Sequence, residues 1–485
     1  MSAIHIGSRR ELFIDRFLIE KMENTYLKLH EPVSMGTAIK IDKPWDGGCN
    51  GGNSVVWGDG KYHMYYRSMH LDVGPDPEVH NCVAISDDGI TWTKPILQEQ
   101  EGTNFVEIPA FYDECPDVPR HERYKGFLSE AVSGEKHTPN HDPRGAKRLV
   151  FYASEDGFHF HKMDPQPQLI SDLPNSFDGG CTMFWSHVEE QYVFYYRYSI
   201  KLREDRNGDR LPWHRCVARM TSKDFYHWSK PERMYFSDPS EQIYVNNTAP
   251  YFRSPHIYLG VAARFVENAA PLTEERARKL PLETDDIDAR WRSATNDCAD
   301  GVLLTTRAGT TAYDRTFMET FIRPGLCDGD WVTRTNYALG GIVPYGEDRM
   351  LLYVGRRYLQ RTWHVECLAL RTDGFASLSA PWSSGVATTK PIIFDGGELE
   401  INYRTGAAGY VRVELVNEDG YVIPGFHADM CERIVGNEIS RIVRWRSDVY
   451  EDYDLRRLSG MPVRLRFYLK DADVFSFKFN SVNNV

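Results

Sequence analysis

Four short phrases set a carboxylate beside or just ahead of a segment rich in apolar and aromatic residues: Trp45-Asp46-Gly47-Gly48, Phe111-Tyr112-Asp113-Glu114, Phe177-Asp178-Gly179-Gly180 and Glu241-Gln242-Ile243-Tyr244. Carboxyl groups carried on separate segments and brought to one cavity can share the work of breaking an acetal bond. One protonates the leaving oxygen, and the other acts as base or nucleophile from the opposite side. Asp46, Asp178 and Glu241 are the leading candidates, with Asp113 orienting or tuning a partner. An Asp next to Gly is also an ordinary turn or cap residue, so every one of these acids has a structural alternative. Their recurrence at equivalent positions favours the set without choosing among its members. Asp178 leads because the small Gly179-Gly180-Cys181 run leaves open space above it. Glu241 follows because Asn246 and Asn247 share its segment and could hydrogen-bond hydroxyl groups, the alternative being satisfaction of nearby loop backbone. Trp45 lies beside an acid in a Gly-rich loop, where its flat face could stack on a sugar ring or be buried. Arg264, Arg307 and Arg323 can pair with carboxylates, either on a ligand or between structural elements.

The remaining composition narrows the chemistry. With 57 Lys and Arg against 69 Asp and Glu, the net charge is −12, the wrong sign for neutralising a phosphate backbone. A small neutral carbohydrate is the simpler partner, with no nucleic acid and no membrane. His137, His141 and Asp142 lie close together but lack the spacing of a zinc site, and the run from Asp205 to Asp209 lacks the distal bidentate Glu of a calcium loop. No metal and no cofactor is therefore expected. The 9 cysteines are scattered without a C-x-x-C pair, which predicts buried, reduced thiols and no disulfide framework. No apolar run of membrane-spanning length occurs and the first residues carry no apolar stretch, so a cytoplasmic location is expected.

Many short strands are needed to position such acids. Aromatic residues make up 13% of the chain, and two phrases repeat in step. One is a strand followed by an Asp-Gly type turn: Ala84 to Trp92, Tyr152 to Phe160, Arg219 to Trp228 and Leu370 to Phe375. The first three are spaced by roughly 65–70 residues, longer than the ~40–45 of a WD40 blade. The other joins an apolar strand to a Tyr-rich strand, as in Gly52 to Trp57 with Tyr62 to Arg67, and Gly180 to Trp185 with Tyr192 to Arg197; later copies begin at Thr248 and Gly340. Inner strands that line a channel and outer strands that carry the surface describe propeller blades. The reading is an all-β chain: a five-bladed β-propeller over residues 1–378, including an N-terminal strand, and an accessory β-sandwich over 379–485. Within the sandwich, Glu398 to Tyr403, Tyr410 to Leu415 and Val463 to Leu469 alternate apolar with polar. One helix is predicted, Thr273 to Leu280, with Pro281 as its stop.

Taken together, Glu11 to Asp15, the stretch Tyr251 to Gly260, Phe317 to Gly325 and Gly406 to Gly409 resemble five-bladed propeller glycosidases of the glycoside hydrolase family 32 and 43 type, and more closely a bacterial group of family 32-like proteins. The resemblance implies a glycosidase, with a non-catalytic carbohydrate-binding propeller or a lyase or phosphorylase on the same fold as the alternatives; the expected ligand contacts are Trp45, Asn246, Asn247, Arg264, Glu319 and Arg323. The chain departs from the family signature Asn-Asp-Pro-Asn, since Gly51 stands where its nucleophilic Asp would be. Asp46, a few residues earlier, is the nearest replacement.

Overall fold

The structure, a computed structural model, describes residues 3–47, 49–70, 78–132, 146–201, 213–267, 269, 297–358, 360–446 and 454–481, with the side chains of 49–51, 70, 201 and 213 excepted. The segments holding His137, His141 and Asp142, the run Asp205 to Asp209 and the predicted helix Thr273 to Leu280 lie outside the described residues.

Five antiparallel sheets follow one another along the chain and form the blades. Blade 1 contains Cys49–Gly58, Lys61–His70, Glu78–Ser86 and Phe105–Val106. Blade 2 contains Phe111–Tyr112, Tyr124–Ala131, Lys147–Ser154 and the short outer pieces His161–Lys162 and Ile170–Ser171. Blade 3 contains Thr182–Ser186, Gln191–Lys201, Trp213–Ser222 and Glu232–Arg233. Blade 4 has a divided inner strand, Gln242–Val245 and Ala249–Tyr251, then Ser254–Val266 and Cys298–Arg307. Blade 5 has Tyr337–Ala338 and Val343–Tyr345, then Arg349–Arg356 and His364–Arg371, and its outermost strand is Val33–Lys40 from ahead of blade 1. That last pairing closes the ring, so both ends of the propeller are held in one sheet.

The paired tyrosines explain how blades stack. Successive side chains on a strand face opposite sides of its sheet, and in a propeller both sides are packed. Tyr65 therefore joins Val83 and Tyr124 between blades 1 and 2, while Tyr66 joins Tyr353 and Trp363 between blades 1 and 5. Tyr195 and Tyr196 divide in the same way between the 3–4 and 2–3 cores. The repeated turn has one mechanism in three copies. Asp88 Oδ1 accepts from the backbone N–H of Ile90 and Thr91 at 2.8 and 2.7 Å, Asp156 Oδ1 from Phe158 and His159 at 2.8 and 2.9 Å, and Asp224 Oδ1 from Tyr226 and His227 at 2.9 and 2.8 Å. The residue after the Asp is left-handed in all three, including the non-glycine Phe225 at φ +70.

The C-terminal unit is a ten-stranded sheet dominated by the long hairpin of Glu398–Val416 with Pro462–Asn480. Its register shifts between Thr405 and Tyr410, and residues from both sides of the shift (Leu399, Ile401 and Tyr403; Val411, Val413 and Leu415) enter one core. The sheet thus folds over itself. The expected domain border is corrected at the N-terminus: Ile4–Gly7, Glu11–Leu12, Ile19–Glu23 and Tyr26–Leu29 pair within this sheet and not within the propeller. Their partners lie far along the chain, Ile4 against Ile392 and Glu11 against Phe477, so no local pattern marks them. Among the described residues no helix is long and apolar enough to cross a membrane, and the described cysteines form no disulfide.

Strand alternation gives the propeller two unlike ends. Inner strands begin at the upper end, where the second-to-third strand hairpins and the blade-to-blade crossovers also lie; the Asp turns lie at the lower end. The C-terminal unit docks on the lower end of blades 4 and 5, through Asp373, which accepts from Tyr251 and Arg253 of blade 4 and from Asn402 and Ser476 of the C-terminal unit, and through Arg371 on Asn402.

Candidate active site

Asp46, Asp178 and Glu241 all fall in crossovers at the upper end, ahead of the inner strands of blades 1, 3 and 4. Their surroundings differ sharply. Asp46 is fully buried between blades 5 and 1. Its Oδ2 accepts from the backbone of Asp42 and Lys43 at 3.0 and 2.9 Å and from Lys94 Nζ at 2.6 Å, and its Oδ1 accepts from Tyr66 at 3.0 Å. Four donors and full burial close it to a ligand, and the carboxylate acts as a turn cap and interblade lock. Glu241 is also buried, in a two-pronged pair with Arg315 at 2.9 Å on both oxygens. Arg315 in turn donates to the carbonyls of Leu303 and Phe317.

Asp113 lies at the other end of the molecule. The inner strand of blade 2 is only Phe111–Tyr112, so Asp113 follows it where an acid of the upper end would precede it. Its carboxylate accepts from Lys125 at 2.7 Å, Tyr192 at 2.9 Å and the backbone of Cys115 at 2.9 Å. Tyr192 and Arg197, the partner of Asp178, sit five residues apart on one strand, which separates their Cα positions by about 17 Å.

Asp178 alone of the four keeps an open face: its side chain is 54% exposed, yet it is paired to Arg197, which is 4% exposed. The chain reaches this point through three left-handed residues, Phe177, Gly179 and Gly180, with φ of +63, +68 and +57. Gly180 is required twice over, because a Cβ there would meet Val245 Cα at 2.6 Å and the Tyr244 carbonyl at 2.8 Å. This close approach brings the Asp178 loop against the inner strand of blade 4.

Residues that sequence reasoning did not single out complete the basin. The Arg197 guanidinium lies over the Tyr244 ring at 4.1 Å and donates to the Tyr244 carbonyl at 3.3 Å. Arg215, on the neighbouring strand of blade 3, lies 5.4 Å from the same ring and 3.7 Å from that of Phe265. Its Nη1 reaches Gln242 Oε1 at 3.1 Å and Glu267 Oε1 at 3.3 Å. Tyr244 stacks with Phe265 and Tyr337 at 5.7 and 5.8 Å, and Tyr337 meets Tyr358 edge-on. Two arginine–carboxylate pairs, Arg197 with Asp178 and Arg215 with Glu267, thus share one aromatic platform. Burial pushes the Tyr337 phenol well above its usual range, which favours its neutral form.

The expected ligand contacts fare unevenly. Asn246 accepts from the Thr248 backbone at 2.8 Å and donates to Tyr313, and Asn247 donates to the carbonyls of Val261 and Ala338, both at 2.9 Å. Both amides are spent on neighbouring protein groups, the alternative the sequence left open, and Asn247 ties blade 4 to the inner strand of blade 5. Arg264 pairs with Asp300 at 2.8 Å and donates to the Met318 carbonyl at 2.6 Å, on the blade 4 side of the basin. Glu319 is exposed beside it, and Arg323 is an exposed partner of Glu31 at 3.1 Å. Arg307 locks the lower end through Glu11 and Asp15. Trp45 is half-buried, its carbonyl accepting from Ser68, and its indole Nε1 is buried without a hydrogen bond. A groove of about 390 Å³ lined by Ile39, Lys40, Lys43, Trp92 and Lys94 lies apart from Asp178, beside the outer strand of blade 5. Among the described residues no cluster of His, Cys, Asp and Glu could hold a metal ion.

The missed residues had a partial signal. Arg197 ends the second copy of the Tyr-Tyr-Arg phrase whose first copy is Tyr65-Tyr66-Arg67. Side-chain alternation puts it on the face of Tyr195, hence toward blade 4. Arg215, Tyr244 and Glu267 carry no such mark, because their convergence depends on how two blades abut.

No family model and no curated protein matches the chain. Solved structures similar to it include a sucrose-6-phosphate hydrolase from Lactobacillus gasseri, 11% identical with a TM-score of 0.39 over 93% of each chain. A β-1,2-mannobiose phosphorylase from Listeria innocua is 13% identical with a TM-score of 0.40, covering 71% of this chain and 96% of that one. A glycoside hydrolase is 11% identical with a TM-score of 0.38, covering 70% and 92%. Likeness at this level assigns no activity.

Proposed function

We propose that this chain is a carbohydrate-active enzyme that hydrolyses glycosidic bonds at the upper end of its propeller, with Asp178 and Glu267 as the carboxyl pair. Such cleavage needs one carboxyl to protonate the leaving oxygen and a second to activate water or attack the anomeric carbon. The observation that carries the reading is Asp178 itself: a carboxylate more than half exposed, fixed by an arginine that is almost wholly buried. Arg197 holds that carboxylate in place while leaving its outer face to a substrate, and the ring of Tyr244 offers an apolar surface for a sugar. Glu267, held by Arg215 across the same ring, is the carboxylate that shares the Tyr244 platform with Asp178.

The test is a screen against aryl-pyranosides and aryl-furanosides, followed by Asp178→Asn and Glu267→Gln on whichever substrate turns over. Each variant is expected to lose about 10²–10⁴-fold in turnover, the usual contribution of a positioned acid or base. Full activity in Asp178→Asn would sink the assignment. The anomer released first, followed by NMR, then separates retention from inversion.

A further inference from the structure

Each arginine of the basin fixes one carboxylate, Arg197 with Asp178 and Arg215 with Glu267, but neither pair uses the whole fork of donors. Arg197 and Arg215 stand on adjacent antiparallel strands, opposite Val217 and Ser199, and both guanidiniums lie against the Tyr244 ring. Stacking on aromatic rings supports each cation, but crowding two like charges in a half-buried place opposes it. Burial holds Arg215 below the ordinary arginine range, and the neighbouring Arg197 lowers it further. The hydrogen bonds of the Arg215 guanidinium to described residues run through Nη1 alone, and the one to Glu267 is long at 3.3 Å. Its Nε and Nη2 donate to no described residue, and Arg197 Nε is buried with no hydrogen-bond partner. A guanidinium offers five N–H donors in a planar fork that matches two oxygens of one group. A neutral sugar could accept from these donors through its hydroxyls, but only an oxyanion adds the charge and the paired oxygens that the fork matches best.

We propose that the ligand of this site carries an oxyanion, either the carboxylate of an acidic sugar or a phosphate, received by the Arg215 donors that meet no described residue, with Arg197 beside it. The inference rests on the upper-end basin being the reaction site, and it adds the charge class of what binds there. The source of the oxyanion is separable by experiment. Isothermal titration of the full chain with inorganic phosphate, with glucuronate, and with glucose as the neutral control is expected to show binding by at least one anion and none by glucose at equal concentration. Phosphate alone points to a phosphate-bearing ligand or co-substrate, and glucuronate alone to an acidic sugar. Arg215→Gln should weaken the anion tenfold or more, and Arg215→Lys, which keeps the charge but not the fork, should fall between. Asp178→Asn should bind the anion at least as tightly as the parent chain, because it removes the carboxylate that competes for Arg197. Failure of both anions to bind better than glucose overturns the inference, as does an Arg215→Gln affinity within twofold of the parent. Turnover surviving in Asp178→Asn would instead remove the cleavage assignment and leave the anion site standing.

Discussion

At the lower end of the propeller, Asp373, Glu11 and Asp113 are fully buried, and each is met by several donors. At the upper end, Asp178 meets one arginine and keeps half its surface in solvent. Asp373 accepts from Tyr251 at 2.8 Å, Arg253 at 2.9 Å, Ser476 at 2.6 Å and Asn402 at 3.1 Å, with Arg10 at 3.7 Å. Glu11 takes Arg9, His256 and Arg307. Taking a carboxylate out of water costs several kcal/mol, and only such saturation offsets it. Burial behind several donors also makes a carboxylate chemically inert, since no face of it is left to a ligand. The contrast separates two uses of one residue type. An acid that joins the propeller to the C-terminal unit is closed on all sides, whereas an acid able to act on a ligand is fixed from behind and left open in front.

The sharpest way to break this comparison is to remove a saturated acid. Asp373→Ala leaves Arg253 without its counter-charge, takes the more distant of two carboxylates from Arg10, which keeps Glu400, and removes the acceptor of a buried tyrosine. A loss of about 3–5 kcal/mol in unfolding free energy is expected, read as a shift in the denaturant midpoint. A loss below about 1 kcal/mol would mean that the lower-end network is not what joins the two units.

A smaller effect comes from the same seam and is read by pH. His30 hydrogen-bonds Ser377 at 2.7 Å and faces Arg404 at 3.3 Å, and burial holds its imidazole down at about 4 against an ordinary 6.5. Between those values the unfolded chain binds a proton that the folded chain does not. Stability contributed by the neutral ring is therefore complete above pH 6.5, falls as pH drops through the window, and levels off below about 4. The loss is at most ~3 kcal/mol, reduced by the partial exposure of the ring. His30→Gln should flatten part of the slope of the unfolding midpoint between pH 7 and 4. An unchanged slope would place the proton uptake elsewhere.

The architecture was legible where the physics is local. The Ser-x-Asp turns at Asp88, Asp156 and Asp224 are closed by bonds to residues two and three positions on, and the tyrosine pairs follow from strand alternation alone. The N-terminal strands were not legible, because Ile4 and Glu11 find their partners almost four hundred positions or more away. The site was half legible. An acid ahead of an inner strand marks the upper end correctly for Asp46, Asp178 and Glu241, but sequence does not say how many donors will turn toward it. Lys94 and Arg315, which neutralise Asp46 and Glu241, arrive from outer strands and loops whose approach is a property of the assembled ring. Asp113 was misplaced for a simpler reason: a two-residue inner strand shifts an acid from the start of the strand to its end.

The smallest expected effect carries the comparison furthest. Asp178→Asn leaves an amide oxygen that still accepts from Arg197, and the guanidinium keeps the Tyr244 carbonyl and ring as partners. Because the Asp178 side chain is 54% exposed, water already screens the pair, and solvent-exposed pairs contribute about 0–1 kcal/mol. The unfolding midpoint of Asp178→Asn should therefore lie close to that of the parent chain while Asp373→Ala falls well below it. A loss in Asp178→Asn comparable to that in Asp373→Ala would mean that Asp178 is one more structural counter-ion for a buried arginine. Its open face would then be incidental, and the upper end would lose the feature that distinguishes it from the lower.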